Sequence, residues 1–167
     1  MSLITYRGID MTMQRTVVLV KPDGLQRGLI GEIVQRFERK GLKLIGLKMM
    51  RLTDDLLDTW YVHHKEKSFF KDLKSFMTWT PIVAMVWEGQ EAVSAVRKLV
   101  GVTKGYDAEA GSIRGDFAMS GSQNLIHASD EPANAEKEIA LIFTTEELFE
   151  YENAEECLIY SDFERGK

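Results

Sequence analysis

The strongest constraint on the fold is a run of five β-branched or apolar residues, Thr16-Val17-Val18-Leu19-Val20. A strand with one face in water alternates apolar and polar side chains, whereas this run has no such alternation. It therefore predicts a strand covered on both faces, which ends at the turn residues Lys21-Pro22-Asp23-Gly24. Pro81 introduces a second strong strand candidate, Ile82 to Trp87.

Helices and weaker strands fill the remaining chain. Apolar residues at helical spacing predict helices over residues 28–40, 53–61, 69–77, 91–100 and 132–142, and alternation predicts strands over 42–52 and 124–128. The last helix is expected to have Ser129 or Asp130 as its cap, with Pro132 in its first turn. Residues 101–121 hold five of the 13 glycines and predict a long loop. Loops of that length are usually functional or disordered.

The order of these elements gives two βαβ-like halves. It predicts an α+β sandwich in which a four-stranded sheet carries helices on one face. The 167 residues suit one domain, which we expect to span residues 14–167. Met11 and Met13 come just before the first strand, so residues 1–13 are predicted to be an extension, either native or added by cloning.

Composition narrows the location and the partners. No apolar run approaches the roughly 18 residues of a membrane helix, and the first residues lack a signal-peptide layout, so a cytoplasmic location is expected. The single cysteine, Cys157, cannot form an internal disulfide, and no Cys or His spacing suits zinc. Residues 1–100 carry 16 Lys and Arg against 11 Asp and Glu, whereas residues 101–167 carry 5 against 15. The acidic second part argues against nucleic-acid binding through the tail.

Two kinds of residue could act on a phosphorylated ligand. The chain lacks both glycine-rich loops, GxxxxGK[ST] and GxGxxG, so side-chain cations would have to bind phosphate, and Lys21, Arg97 and Arg114 are candidates. Each of them alone is more commonly a surface cation. A neutral imidazole, such as that of His127, is a competent nucleophile when an acceptor holds its other nitrogen.

The acceptor for His127 stays open at this point, because helical periodicity allows either Glu136 or Glu138. The competing interpretation of His127 is an ordinary histidine at a strand edge. His63 and His64 are interpreted as surface residues at a helix end.

Five longer stretches together resemble the nucleoside diphosphate kinases, in the order TVVLVKPDGLQRGLIGEIVQRFERKGLKLIGLKMM, PIVAMVWEG, GSIRGDF, NLIHASD and AEKEIALIF. The resemblance runs from Arg15 to about Tyr160, and its length, order and spacing make it far more specific than a short motif. It implies a ferredoxin-like α/β sandwich with a four-stranded antiparallel sheet. It also implies transfer of the γ-phosphoryl group of a nucleoside triphosphate such as ATP to a nucleoside diphosphate, through a phosphohistidine, with ping-pong kinetics and broad base specificity.

The same resemblance implies a role for each matching residue. His127 becomes the nucleophile, and Glu138 the carboxylate on its second ring nitrogen, assisted by Ser129. Lys21 would contact the γ-phosphate and the ribose, and Tyr61 would lie close to the histidine. The remaining matched positions would bind the nucleotide, with the base on Phe69 and Leu73, the phosphates on Arg97, Thr103 and Arg114, and the ribose on Asn124.

Cofactor and assembly are implied as well. Mg²⁺ would be carried by the phosphates of the nucleotide rather than by a protein cage. A homo-oligomer is expected. The tail from Thr144 to Tyr160 favours a hexamer, and a tetramer is the alternative. Neither membranes nor nucleic acids are expected partners. Four features depart from the family pattern. Lys104-Gly105 replaces Asn-Pro in a loop that supports subunit contacts, and Gly121-Ser122-Gln123 replaces Val-Gly-Arg and leaves one wall of the base slot without a side chain. Ala128 replaces a glycine, a mild change if its φ is negative, and His64 is expected near the nucleotide mouth, where the family is variable.

The chain is predicted to be an enzyme. The competing class is a binding protein that holds nucleotide or a partner without turnover, and a DNA-binding side role ranks below it because the chain is acidic overall. Loss of His127, Lys21 or Arg114 would favour the binding protein, and all three are present.

Overall fold

Four strands form one antiparallel sheet in the computed structural model, which describes residues 13–62 and 65–165. The strands are β1 (Met13–Val20), β2 (Lys43–Met50), β3 (Ile82–Gln90) and β4 (Ile126–Ala128). Their order across the sheet is β2-β3-β1-β4, and every neighbouring pair is antiparallel. The predicted four-stranded antiparallel sandwich is therefore confirmed.

Helices connect the strands. They are α1 (Pro22–Gln26), α2 (Ile30–Arg39), α3 (Asp54–Trp60), α4 (Phe70–Met77), α5 (Ala92–Val100), α6 (Ile113–Phe117), α7 (Pro132–Ile142) and α8 (Glu156–Ile159), with single 3₁₀ turns at Gly105–Asp107 and Thr145–Glu147. The predicted start of α3 is confirmed, because the Thr53 side chain accepts a hydrogen bond from the Leu56 amide at 3.2 Å. Gly41 follows α2 with a φ of 88°, a conformation that favours glycine.

Both faces of the sheet are covered, so the prediction of helices on one face is wrong. One face packs its β1 and β3 side chains against α2 and α5, where Phe37 lies 5.3 Å from Trp87. The other face packs against α3, α4 and α7 through Leu57, Met77 and Ile142. Residues 16–20 of β1 are all buried because alternate side chains enter two different cores.

Three local predictions also need correction. The turn after β1 is the short helix α1, which begins at Pro22, a residue that suits the first turn of a helix. The long loop 101–121 contains α6, whose cap is the Ser112 side chain. The N-terminal cap of α7 is Glu131, without a side-chain hydrogen bond. Ser129 cannot cap α7 because its hydroxyl is bonded to Glu138 instead.

Two predictions fall partly or wholly outside the described residues. β1 begins at Met13, one residue inside the predicted extension, and the assignment of the rest of that extension stays a prediction. His63 and His64 also lie outside the described residues, so their interpretation as surface residues stays a prediction as well.

Candidate active site

The predicted site lies where β1 ends and β4 begins. In the sheet register His127 is opposite Leu19, and the Lys21 amide donates to the Leu125 carbonyl at 2.8 Å. Leu125 has a φ of 70°, which is uncommon for a leucine. Its amide donates to Oδ2 of the buried Asp23 at 2.9 Å, so bonds on both sides hold this conformation. The strained residue joins Lys21 to the strand that carries His127.

A tight approach of two backbones completes this junction. A Cβ atom at Gly24 would lie 2.9 Å from the Leu125 carbonyl oxygen, so only glycine fits without a shift. The sequence indicated Asp23 and Gly24 only as turn residues, and their contacts with Leu125 were not predicted.

His127 belongs to a hydrogen-bonded network around one carboxylate. Its Nε2 lies 2.9 Å from Oε1 of Glu138, and the Ser129 hydroxyl donates to Oε2 at 2.6 Å. The Val17 amide donates to the Ser129 oxygen at 3.2 Å, which anchors the network to β1. An ionised carboxylate only accepts hydrogen bonds, so Nε2 carries the imidazole proton and Nδ1 keeps its lone pair.

The choice between the two glutamates of α7 follows from their positions. Glu138 is buried and faces His127, whereas Glu136 is exposed. Burial works to raise the pKa of Glu138, but hydrogen bonds from His127, Ser129 and Trp60 outweigh it and hold the pKa below its ordinary value. Glu138 is therefore ionised at neutral pH.

Two neighbouring aromatic residues border the network. Trp60 donates from Nε1 to Oε1 of Glu138 at 2.9 Å, a contact that the sequence did not predict because Trp60 also fits the apolar stripe of α3. Tyr61 stacks on Trp60 with ring centroids 5.5 Å apart. Burial, together with the charge of Glu138, raises the pKa of Tyr61 to about 12, so the phenol keeps its proton.

Two of the three predicted cations, Lys21 and Arg114, respond to a neighbouring positive charge. The Lys21 ammonium donates to Oδ1 of Asn124 at 2.7 Å. Burial, with a further effect of the Arg114 charge, lowers the pKa of Lys21 to about 8. Burial and the charge of Arg97 lower the pKa of Arg114 to about 10. Because a like charge lowers the pKa of a cation only at short range, Arg114 lies near both Lys21 and Arg97.

Arg114 also has a structural role that the sequence did not indicate. Its guanidinium donates to the backbone carbonyls of Gly101, Asn124 and Ile126 at 2.9, 3.3 and 2.7 Å. The side chain is buried and ties the long loop to the start of β4.

Asn124 connects the loop to Lys21. Its Nδ2 donates to the backbone carbonyls of Thr103 and Gly121 at 2.8 and 2.9 Å. Thr103 thus adjoins Asn124 through its backbone, while the Thr103 side chain is exposed. Since both N–H groups of Asn124 are used, its remaining capacity is a lone pair on Oδ1.

The predicted base-stacking residues lie together at the start of α4. Phe69 is 48% exposed, and the Lys67 ammonium lies 5.9 Å from the centre of its ring. The Leu73 amide donates to the Phe69 carbonyl at 3.0 Å, and Leu73 packs against the second core. Neither side chain belongs to the network around Glu138.

A cleft of about 1020 Å³ lies between α5, residues 107–112 and the start of α7, and Arg97 is the candidate site residue that lines it.

Within residues 13–62 and 65–165, no three or more His, Cys, Asp or Glu side chains are arranged to hold a metal ion.

In the same described part of the chain, none of the helices has the length and apolar character needed to cross a membrane.

Comparison with known proteins identifies the family. The model of the family described as nucleoside diphosphate kinase matches residues 14–148. The chain belongs to the nucleoside diphosphate kinase family. It is 49% identical over 148 residues to the nucleoside diphosphate kinase of Carboxydothermus hydrogenoformans, which covers 89% of this chain and 99% of that protein. It is 52% identical over 141 residues to that of Staphylothermus marinus, with coverages of 84% and 100%.

Solved structures of nucleoside diphosphate kinases share the fold. The Halobacterium salinarum enzyme, determined in complex with CDP, superposes with a TM-score of 0.88 at 47% identity and covers 90% of this chain and 100% of its own. A nucleoside diphosphate kinase family protein from Babesia bovis superposes with a TM-score of 0.85 at 48% identity, with coverages of 88% and 99%. The ferredoxin-like sandwich that the resemblance implied is thereby confirmed. Ala128 lies in the extended strand β4 and has no positive φ, so its replacement of glycine is mild, as predicted.

Proposed function

We propose that the chain is a nucleoside diphosphate kinase that works through a phosphohistidine at His127. Nδ1 attacks the γ-phosphorus of a nucleoside triphosphate such as ATP, the bond from phosphorus to the bridging oxygen breaks, and the diphosphate leaves with the electron pair. In the second half-reaction a terminal phosphate oxygen of another nucleoside diphosphate attacks the phosphorus, and the P–N bond breaks toward Nδ1. The observation that carries the proposal is the 2.9 Å contact of Nε2 with the ionised Glu138, which leaves Nδ1 as the nucleophile.

The phosphate contacts come from the convergent cations. Lys21, Arg97 and Arg114 approach the β- and γ-phosphates together with Thr103, because phosphoryl transfer needs positioning and positive charge more than covalent chemistry. Lys21 and Asn124, which are hydrogen-bonded to each other, would also receive the ribose hydroxyls. Tyr61 keeps its phenolic proton and can donate to a phosphate oxygen beside His127.

Mg²⁺ is the proposed cofactor, carried by the nucleotide. The groups proposed to face the nucleotide are the cations Lys21, Arg97 and Arg114, the Asn124 amide and the Tyr61 phenol, which suit phosphate oxygens better than a divalent metal. When bound, the metal neutralises charge on the phosphates of the substrate. The residues of this chain would hold the phosphates rather than the metal.

Broad base specificity is the expected consequence of the base end. Phe69 offers a ring face and no hydrogen-bonding group, and a ring stacks on every base. The resemblance assigns the second wall of the base slot to Gly121, which has no side chain, and a Cβ there would lie 3.6 Å from Cγ of Lys104. The flexible side chain of Lys104 is therefore the group proposed to form the second wall of the base slot.

A hexamer is the proposed assembly, with a tetramer as the other possibility. β2 is an edge strand whose Leu47 and Met49 are 55% and 61% exposed. The tail after α7 is tied to that strand, since the Phe149 amide donates to the Ile45 carbonyl at 2.8 Å. A monomer in light scattering at micromolar concentration would refute the proposal.

A cytoplasmic location and a single domain over residues 14–167 complete the proposal. Cell fractionation tests the location, and limited proteolysis tests the domain limits.

One experiment separates the enzyme from a binding protein without turnover. The protein is incubated with ATP labelled at the γ-phosphate and magnesium, then denatured. A label that stays on the protein in base and is lost in acid supports the phosphohistidine. Binding of ATP without any such label would favour the binding protein.

A further inference from the structure

The network around Glu138 contains one donor for which neither the residue pattern nor the family resemblance implied a role. Trp60, the last residue of α3, donates to Oε1 of Glu138 at 2.9 Å. The same oxygen lies 2.9 Å from Nε2 of His127, and Oε2 accepts from Ser129 at 2.6 Å. The carboxylate thus accepts three hydrogen bonds, two from β4 and the residue after it and one from α3, and its plane is fixed.

Trp60 also touches the imidazole directly. The two rings are nearly perpendicular, at 87°, with centroids 5.1 Å apart. Tyr61 stacks on the indole, with ring centroids 5.5 Å apart at an angle of 11°, and this contact holds the indole in place. An indole fixed in this way limits the rotation of the His127 ring.

We propose that Trp60 is a positioning residue for the nucleophile: it fixes the carboxylate that orients His127 and restricts rotation of the imidazole. The proposal rests on the phosphohistidine reaction proposed above. Residues that orient metal ligands in this indirect way typically change activity by about 10–100-fold when they are lost, and an effect of that order is expected for Trp60.

The hydrogen bond has a consequence that simple packing would not have. Burial raises the pKa of Glu138, and the hydrogen bonds from His127, Ser129 and Trp60 lower it. The titratable groups facing Glu138 are His127 from β4 and Tyr61, the residue after α3, whereas β1 contributes only the uncharged Val17 amide, through Ser129. The ionised carboxylate exists above its pKa and is lost as the pH falls. Removing the indole donor therefore moves this loss to higher pH.

Two substitutions separate the two contacts of Trp60. Trp60→Phe keeps an aromatic edge and removes the N–H donor. Trp60→Gln removes the edge but keeps an N–H at the same number of bonds from Cα. Trp79→Phe, at an indole that is 62% exposed on the loop after α4, is the matched control.

The measurements are the rate of phosphoenzyme formation from ATP and its dependence on pH, with KM determined in parallel. Trp60→Phe should lower the maximal rate about tenfold, leave KM within about twofold, and shift the acid limb of the profile to higher pH. Trp60→Gln should be slowed with its acid limb near that of the wild type. Trp79→Phe should behave as the wild type.

The outcomes discriminate sharply. A Trp60→Phe variant that matches Trp79→Phe overturns the proposal, and so does a slower variant whose acid limb has not moved. If circular dichroism shows that Trp60→Phe does not fold, Trp60→Gln decides: a lower rate at unchanged KM supports the proposal, and a wild-type rate overturns it. If the wild type never acquires the acid-labile label, the proposed function and this inference both fail. If the wild type is labelled and the Trp60 variants behave as the wild type, only the positioning role of Trp60 fails.

Discussion

The two ends of the candidate site differ in how firmly they are held. At the imidazole end, His127 is bonded to a buried carboxylate that is itself held by α3 and by the residue after β4. At the base end, Phe69 is half exposed at the start of a surface helix, and Gly121 presents no side chain. The difference suggests that the protein fixes the reacting atoms and leaves the base loosely bound.

The physical reason lies in what each end must do. Phosphoryl transfer requires the attacking and leaving atoms in line, so small displacements of the nucleophile are costly. Stacking of a base on one ring tolerates lateral movement and does not depend on base edges. Substitutions should therefore cost far more at the imidazole end than at the base end, and the following predictions test that gradient.

The largest effect is expected for His127→Ala, which should abolish transfer while nucleotide binding persists. Nδ1 is the proposed nucleophile, whereas the phosphate-binding cations lie on other segments of the chain. Incorporation of labelled phosphate and calorimetric titration with nucleotide measure the two properties separately. Retained transfer would move the nucleophile to His63 or His64.

Glu138→Gln should slow kcat by ~10²–10⁴-fold, because the amide keeps an acceptor for Nε2 but removes the negative charge. Glu136→Gln is the internal control, since Glu136 lies on the same helix and is exposed. Steady-state kinetics on both variants checks the prediction. Equal effects in the two variants would mean that the orienting role belongs to another residue.

The lowered pKa of Lys21 predicts that activity falls at alkaline pH. Its pKa is lowered to about 8, so the cation is present below that pH and is lost as the pH rises through it. The kcat/KM for the triphosphate should therefore fall about tenfold for each pH unit above this pKa. Lys21→Arg, in which the charge persists, should be slower at neutral pH but should lack this limb. An unchanged limb in Lys21→Arg would assign it to a different group.

The smallest effect is expected at the base end. Phe69→Ala should raise KM about fivefold, equivalent to ~1 kcal/mol, by a similar factor for purine and pyrimidine diphosphates. Phe163→Ala, at an exposed phenylalanine of the tail, is the control. If Phe69→Ala costs as much as Glu138→Gln, or the wild type prefers one base by more than a few hundred-fold, the contrast between the two ends fails.

Sequence patterns predicted the sheet well because consecutive apolar residues, such as Val17 to Val20, indicate a strand that is buried on both faces. They failed on α1, since Pro-Asp-Gly occurs in turns as well as in first helical turns. They also failed to place helices on both faces, although a continuously apolar β1 requires two cores. Connectivity alone does not show on which face a helix packs.

The site could be anticipated only where long stretches carried it. Periodicity left Glu136 and Glu138 equivalent, and burial distinguishes them. The hydrogen bond of Trp60 to Glu138 was not predicted, because a tryptophan in the apolar stripe of a helix is adequately explained by packing in the core. The carbonyl contacts of Arg114 depend on three backbone segments that meet only in the folded loop, and no local pattern encodes such a meeting.

The open position of Phe69 has a practical consequence for handling the protein. In the proposed arrangement the base edge points to solvent, whereas the phosphates end against the buried network around Glu138. A nucleotide attached to a chromatography matrix through its base should therefore retain the protein, and ATP should elute it. A nucleotide attached through its terminal phosphate should let the protein pass.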